Sequence, residues 1–249
     1  MIQTIYILWL RQLKKYIRSK SRIIGSLGQP ILFLVAFGFG FQSIFQKANG
    51  GDYLQFLSPG IIAMSILFTA IFAGIELIWD RQFGFLKETL VAPVPRWHIM
   101  VGRTLGGATV ATIQGLIVFV LALFIGFRPI SLYALPIALV VMFLIALVFT
   151  AIGTAIACMV QDMQAFPIIM NFLVMPLFFL SGALFPLEGA PGGIALVAKL
   201  DPLSYGVDGL RQMLTGVTHF GLELDFLVLI STVFIFLGIG SYLFSRIEV

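Results

Sequence analysis

The chain has 249 residues, 60% hydrophobic and 10% charged, with 15 Lys and Arg against 11 Asp and Glu for a formal charge of +4. Soluble domains carry about 25% charged and about 45–50% apolar residues, so this composition, with a mean hydropathy of +1.07, describes an integral membrane protein and excludes a self-contained soluble catalytic domain. The basic residues flank apolar runs instead of forming an aqueous face, which argues against nucleic acid, and the single Cys158 allows neither an internal disulfide nor a cysteine cluster.

Residues 2–22 come first in chain order. Ile2, Ile5, Trp9, Leu13 and Tyr16 recur at a 3/4 spacing, and Arg11, Lys15, Arg18 and Arg22 recur at the same spacing about half a turn away. Such a helix is expected to lie along the inner surface, with its apolar stripe in the acyl boundary and its basic stripe toward anionic headgroups or an acidic partner. The apolar-then-charged order is the reverse of a signal peptide, so no cleaved targeting segment is expected.

A membrane crossing needs about 20 mostly apolar residues. Six runs qualify: Ile23–Phe45, Leu57–Trp79, Leu105–Phe127, Leu132–Val160, Ala165–Leu187 and Phe226–Phe244. The expected fold is an all-α integral membrane protein, with an interface helix at 1–22 and a six-span domain at 23–249. With the N-terminus inside, 11 of the 15 Lys and Arg fall on the inner side, and the outer side keeps Lys47, Arg128, Lys199 and Arg211 among six acids. That asymmetry predicts an N-in, C-in topology.

Between the second and third spans the chain is charge-dense and interleaved with Phe83, Phe85, Leu86 and Leu90, then stopped by Pro93 and Pro95. The pattern predicts a short amphipathic cytoplasmic helix ending near Ala92, whose exposed apolar residues need a partner. Glu76 lies about a turn inside the membrane boundary, where a carboxylate is costly unless it is paired or faces water. Snorkelling to the interface, an ion pair with the nearby Arg81, Arg96 or Arg103, and a proton relay are the readings open to it. Between the fifth and sixth spans, Ile194–Leu200 is too short to cross, and Asp201-Pro202 reads as an N-cap followed by proline at the first helical position. Two short outer helices follow, the second with Leu203, Val207, Leu210 and Leu214 at helical spacing. They are expected to dip partly into the outer leaflet or to form a flat cap.

Several chemistries are missing. No Gly-Lys pair occurs, so the chain carries no glycine-rich phosphate loop of the Gly-Lys type. His98 and His219 are predicted on opposite sides of the membrane, which leaves no zinc ligand set, and no Gly-x-Ser-x-Gly is present. The predicted midplanes hold only groups such as Gln114, Thr150, Thr154, Asn171 and Ser181, which suit helix packing more than the transport of a charged ion. Gly102 with Gly106, and Ala151 with Ala155, have a small-xxx-small spacing that permits close helix contact without specifying a dimer.

Taken in order around six spans, three segments carry a resemblance. They are the basic N-terminal helix leading into Gln29-Pro30-Ile-Leu-Phe-Leu-Val-Ala-Phe-Gly38-Phe-Gly40; the segment Glu76…Asp80-Arg81…Gly84…Leu90-Val-Ala-Pro93-Val-Pro-Arg96; and Phe185-Pro186-Leu-Glu188…Pro202-Leu-Ser-Tyr205-Gly206-Val-Asp208-Gly209-Leu-Arg211. Over essentially its whole length the chain resembles the membrane subunit of the ABC-2 type exporter family, which includes daunorubicin-resistance and lipo-oligosaccharide export permeases. The short, uncharged-by-cations loop Gln161-Asp162-Met-Gln between the fourth and fifth spans is the one departure.

The resemblance implies a multi-pass permease of a prokaryotic inner membrane that pairs with a second permease copy and docks two ATP-binding ABC subunits. ATP and Mg would then bind those subunits, leaving this chain without a cofactor or catalytic residue of its own. Trp79–Leu90 would be the coupling helix, with Asp80, Arg81, Phe83, Gly84, Phe85, Leu86, Lys87 and Glu88 at the ATPase contact and the N-terminal helix as a second contact. Glu188, Tyr205 and Asp208 would shape an outer gate. The aromatic, uncharged Phe33, Phe37, Phe41, Phe172, Phe178 and Phe179 are candidates for a wall that suits hydrophobic drugs or lipid-like molecules, or else they face lipid or pack between helices. A polysaccharide or glycolipid exporter of the same family, an ion-coupled secondary transporter that uses Glu76, and a non-transporting membrane scaffold are the alternatives.

Overall fold

The computed structural model describes residues 2–49, 51–91, 94–187 and 191–247, and among them there is no strand. The helices are α1 (Ile2–Arg18), α2 (Lys20–Gly40), α3 (Gln42–Asn49), α4 (Tyr53–Phe72), α5 (Ile75–Gln82), α6 (Phe85–Val91), α7 (Arg96–Ile125), α8 (Leu135–Met159), α9 (Ala165–Leu180), α10 (Gly192–Leu200), α11 (Pro202–Thr215) and α12 (Leu222–Ser245), with a 3-10 turn at Leu132–Ala134 before α8. Five stretches are long and apolar enough to cross a membrane: α2, α4 continued by α5, α7, the 3-10 turn with α8, and α12.

The fifth expected span is shorter than its apolar run. Instead of reaching Leu187, α9 has 16 residues, about 24 Å at 1.5 Å per residue and less than the ~30 Å hydrocarbon thickness. At its end the Ser181 hydroxyl donates to the Phe178 carbonyl and accepts from the Ala183 amide, and Gly182 turns the chain at φ +76°. Ala183 and Leu184 are fully or nearly fully buried outside any helix, so hydropathy there reports burial and not a crossing. The first span also stops early, at Gly40, with Gln42–Asn49 forming a separate helix, while α7 begins at Arg96, nine residues before the expected Leu105.

The core lies where α4, α7 and α8 meet, and α4 is buried on nearly every side. Close approach there depends on glycine: a Cβ on Gly153 of α8 would strike the Ile71 carbonyl of α4. By contrast, α2 and α12 lie on the flanks with most of their apolar side chains at least partly exposed, as expected of surfaces solvated by lipid or covered by another chain. The helix α11 is not a flat cap, because it packs against α4, α8 and α12 with Leu203, Val207, Leu210 and Leu214 all fully buried.

Candidate functional site

The bundle has two polar ends. At the basic end, α1 runs along the first half of α7, seated where Gly102 faces the Ile5 backbone and Gly106 faces Trp9 and Gln12. The Trp9 indole N–H donates to Thr109 at 2.9 Å, and the Tyr16 hydroxyl donates to Gln114 at 2.6 Å. The apolar stripe of α1 therefore packs in part on protein instead of sinking wholly into the acyl boundary. The small-xxx-small glycines of α7 accommodate α1 within the same chain.

Across from α1, α5 presents two carboxylates. Glu76 is 5% exposed, accepts from Arg22 at 2.9 Å and forms an ion pair with Lys15 at 3.3 Å. Asp80 accepts from Arg11 at 3.1 Å and from Arg103. Buried carboxylates are tolerated where cations and hydrogen bonds compensate them, and three cations from α1 and the start of α2, with one from α7, do so here. Lys15 also lies 5.5 Å over the Trp79 ring. Arg18, on the same stripe, is exposed.

The cations nearest Glu76 in sequence have other work. Arg81 donates to the Cys158 carbonyl at 3.2 Å, and Arg96 donates to the carbonyls of Ser245 at 2.6 Å and Ile247 at 3.2 Å. Both sit at helix C-termini, those of α8 and α12, where unsatisfied carbonyls and the helix dipole favour a cation.

The expected single helix over 79–90 is two. After α5, Phe83 and Gly84 form a turn with Gly84 at φ +80°, a conformation that suits glycine; α6 then runs to Val91, and Ala92 and Pro93 lie outside the described residues. Of the residues expected at an ATPase contact, Phe83 (68%) and Phe85 (51%) are exposed, as are Lys87 and Glu88, while Arg81 and Gly84 are half-buried. Leu86 is fully buried and Asp80 nearly so. Leu86 thus anchors α6 in the core, and Asp80 is taken up by Arg103 and Arg11, so neither is free to meet a partner directly.

At the opposite end, Asp201 caps α11 by accepting from the Leu203 amide at 2.8 Å, with Pro202 in the first turn. Its other oxygen is buried without a partner, and burial pushes its pKa from 3.8 up to about 7, against the opposing effect of the Leu203 amide. Tyr205 donates to the Lys199 carbonyl at 2.8 Å and its ring lies 4.6 Å from that of Phe220. Asp208 accepts from the Thr218 hydroxyl and from the amides of His219, Phe220 and Gly221, which pins the loop from α11 to α12. Glu188 lies outside the described residues.

Sequence reasoning assigned no role to Arg211, which is 8% exposed, donates to the Gly182 carbonyl at 2.9 Å and lies 4.0 Å over the Phe56 ring. A signal was present: Arg211 is four residues after Val207 and three before Leu214, so it falls beside the apolar stripe at helical spacing.

The aromatic candidates divide. Phe33, Phe37 and Phe41 of the α2 end form a chain of ring contacts that reaches Phe178 and Phe179 of α9 on one side and Tyr53 on the other. Phe178 is buried, whereas Phe172 is 84% exposed and outside those contacts. Among the described residues no group of three or more His, Cys, Asp or Glu is placed to hold a metal ion.

The family model for the ABC-2 type transporter matches residues 3–215. Among similar proteins, a putative transport permease ycf38 of Pyropia yezoensis is 32% identical over 229 residues, 87% of this chain and 76% of that one. Nodulation protein J of Rhizobium meliloti (strain 1021) is 28% identical over 224 residues, 88% and 84% of the two chains. The inner membrane transport permease YadH of Escherichia coli (strain K12) is 25% identical over 225 residues, 90% and 87%. The match runs from the start of α1 to the end of α11 and so includes both polar ends and the core between them, and on that ground the chain belongs to the ABC-2 type transporter family.

Proposed function

We propose that this chain is the membrane permease of an ATP-driven exporter that works as a pair of permeases with two separate ATP-binding subunits, which carry the ATP and Mg. The N-terminus and the basic end are cytoplasmic, α11 lies toward the outside, and α9 serves as a sixth, short crossing. The observation that carries the reading is the exposure of Phe83 and Phe85 on either side of the Gly84 turn: two aromatic side chains held out beside charged Lys87 and Glu88 suit a cleft on a soluble partner.

The mechanical path follows from the packing. A push on α6 passes through buried Leu86 and the Gly84 turn to α5, which is fastened to α1 and α7 by the Glu76 and Asp80 ion pairs and to the end of α8 by Arg81. After the short bend at Ala73-Gly74, α5 continues the line of α4, whose far end bonds the Leu184 carbonyl through Tyr53 at 2.9 Å. Displacement of this rod would shift the segment that packs beside α11, a rigid-body route from one membrane face to the other. An ion-coupled carrier would need a carboxylate free to exchange ions, and both oxygens of Glu76 are held by cations, which weighs against that alternative.

For substrate, the Phe33–Phe37–Phe41 ladder with Phe178 and Phe179 supports a hydrophobic or lipid-like cargo, moved out of the cytoplasm or inner leaflet along the seam between the two permeases. Export of a glycolipid or polysaccharide is the reading to test beside it. The mechanism is tested with Phe85→Asp: in the reconstituted complex it should abolish transport and the permease's stimulation of ATP hydrolysis, while the chain still elutes as a folded species. Normal stimulation by this variant would overturn the docking assignment.

A further inference from the structure

Behind α11 is a cavity of about 140 Å³ whose wall includes Phe56, Leu187, Ser204, Asp208, Arg211 and Val217. Arg211 is the cation of that wall and Asp208 its carboxylate. Burial lowers the Arg211 pKa to about 10, with Asp208 opposing the shift, so the guanidinium remains a cation at neutral pH. Unlike Arg11, Arg22 and Arg103 at the basic end, it has no carboxylate within ion-pair distance among the described residues. Its bonds go to the Gly182 and Phe56 carbonyls and to an aromatic face, and its Nε has no partner. Asp208, one turn earlier, does not supply the missing anion, because its oxygens are engaged by the Thr218 hydroxyl and three loop amides. The Ser204 side chain, 1% exposed on the same wall, also has an unpartnered hydroxyl.

A cation this deep in a membrane protein, left with neutral acceptors beside a cavity, marks a site for a ligand. We infer that the cavity behind α11 binds a small anionic group, a carboxylate or a phosphate, held by the Arg211 guanidinium and the Ser204 hydroxyl. Guanidinium is the side-chain group best matched to both anions. The size suits a small group: a water molecule takes about 30 Å³ in the liquid, so the space admits an anionic headgroup or a free anion. Phe56, Leu187 and Val217 add an apolar wall beside the charge, which suits the neck of an anionic lipid-like molecule. The inference goes beyond the export reading and does not need it, since binding is measured without an ATPase.

The test uses the full chain in detergent and in lipid nanodiscs, following the thermal midpoint while sodium phosphate or sodium acetate replaces sodium chloride at constant ionic strength. A saturable rise of about 3 °C is expected for the wild type at tenfold excess over Kd. Ser204→Ala removes a hydroxyl that makes no bond, so its midpoint without added anion should match the wild type while its affinity falls about fivefold. Arg211→Gln should lose the response and Arg211→Lys should recover part of it. If the anion is a lipid headgroup, nanodiscs of phosphatidylglycerol will raise the midpoint over phosphatidylcholine in the same Arg211-dependent way; if it is a free anion, phosphate will act equally in both. No saturable response to phosphate, acetate or phosphatidylglycerol, or the same affinity in wild type and Ser204→Ala, would overturn the assignment.

Discussion

Replacing Asp80 by Asn removes the negative charge at the centre of the basic end and keeps its shape. Two cations face that carboxylate: Arg103, with 4% of its side chain exposed, and Arg11, with 44% exposed. The Arg11 pair sits at the water boundary and contributes under about 1 kcal/mol. Arg103 cannot reach water without unpacking α7, and stranding a buried charge costs about 3–5 kcal/mol. Asp80→Asn should therefore lower the thermal midpoint by about 10 °C, at 2–4 °C per kcal/mol for a chain of this size, whereas Arg11→Gln should lower it by less than about 3 °C. The assay is the fraction that remains monodisperse after heating in detergent, read by size exclusion. Asp80→Asn combined with Arg103→Gln discharges both partners and should regain at least half of the loss. If Asp80→Asn shifts the midpoint no further than Arg11→Gln, the pair is not the anchor of α5 and the proposed path from α6 to the core loses its fixed point.

Asp201 gives a pH prediction. The folded chain keeps this proton up to about pH 7 while the unfolded chain releases it near 3.8, so its contribution favours folding most below pH 4, falls through pH 4–7 and is flat above. The total is on the order of 4 kcal/mol at 1.36 kcal/mol per unit, and Asp201→Asn, which still caps α11, should remove that slope from the stability curve; an unchanged slope would refute the assignment. Close backbone crossing makes a third: Gly153→Ala, which meets the Ile71 carbonyl, should cost at least twice as much as Gly115→Ala, whose neighbour is the flexible tip of Ile66, while Gly28→Ala, in open space on α2, should stabilise by about 0.5–1 kcal/mol through helix propensity. Equal costs at 153 and 115 would show that α4 and α8 can move apart freely.

The sequence made the apolar helices legible because the hydrocarbon core imposes a length and an apolar composition that few other constraints mimic. It also showed that α1 has two faces, but an amphipathic pattern specifies only that an apolar face must be covered. Whether lipid or α7 covers it depends on Gly102 and Gly106, which are visible as a spacing whose partner can be recognised only in three dimensions. Glu76 was legible as a group that needs compensation, yet its partners, Lys15 and Arg22, are more than 50 positions away, and the arginines close by in sequence cap helix ends instead. Leu86 shows the limit of reading exposure from a short charged segment: a seven-residue helix, about two turns, is too brief for its period to reveal which side chain turns inward. The end around α11 was the least legible, because the apolar run through Ala183 and Leu184 is buried by a turn, a local geometry that hydropathy does not distinguish from a span.

The distribution of charge and glycine argues for how such a bundle can move. In the middle, α4 and α8 touch backbone to backbone at Gly153, and close-packed interiors shift as rigid bodies more readily than they deform. At the basic end the α5 carboxylates are shared among cations from three helices, so α1, α5 and α7 are joined by contacts that lose strength together if one carboxylate is withdrawn. The opposite end is fixed differently: Asp208 holds a loop through backbone amides, and Arg211 ties the turn after α9 to α4 through the Gly182 and Phe56 carbonyls and the Phe56 ring. An anion on the guanidinium would compete with the Gly182 and Phe56 carbonyls for its donors. A rod held by ion pairs at the basic end and by carbonyl contacts at the other would therefore carry a displacement at α6 toward α11, where an anion competing for Arg211 would loosen its hold.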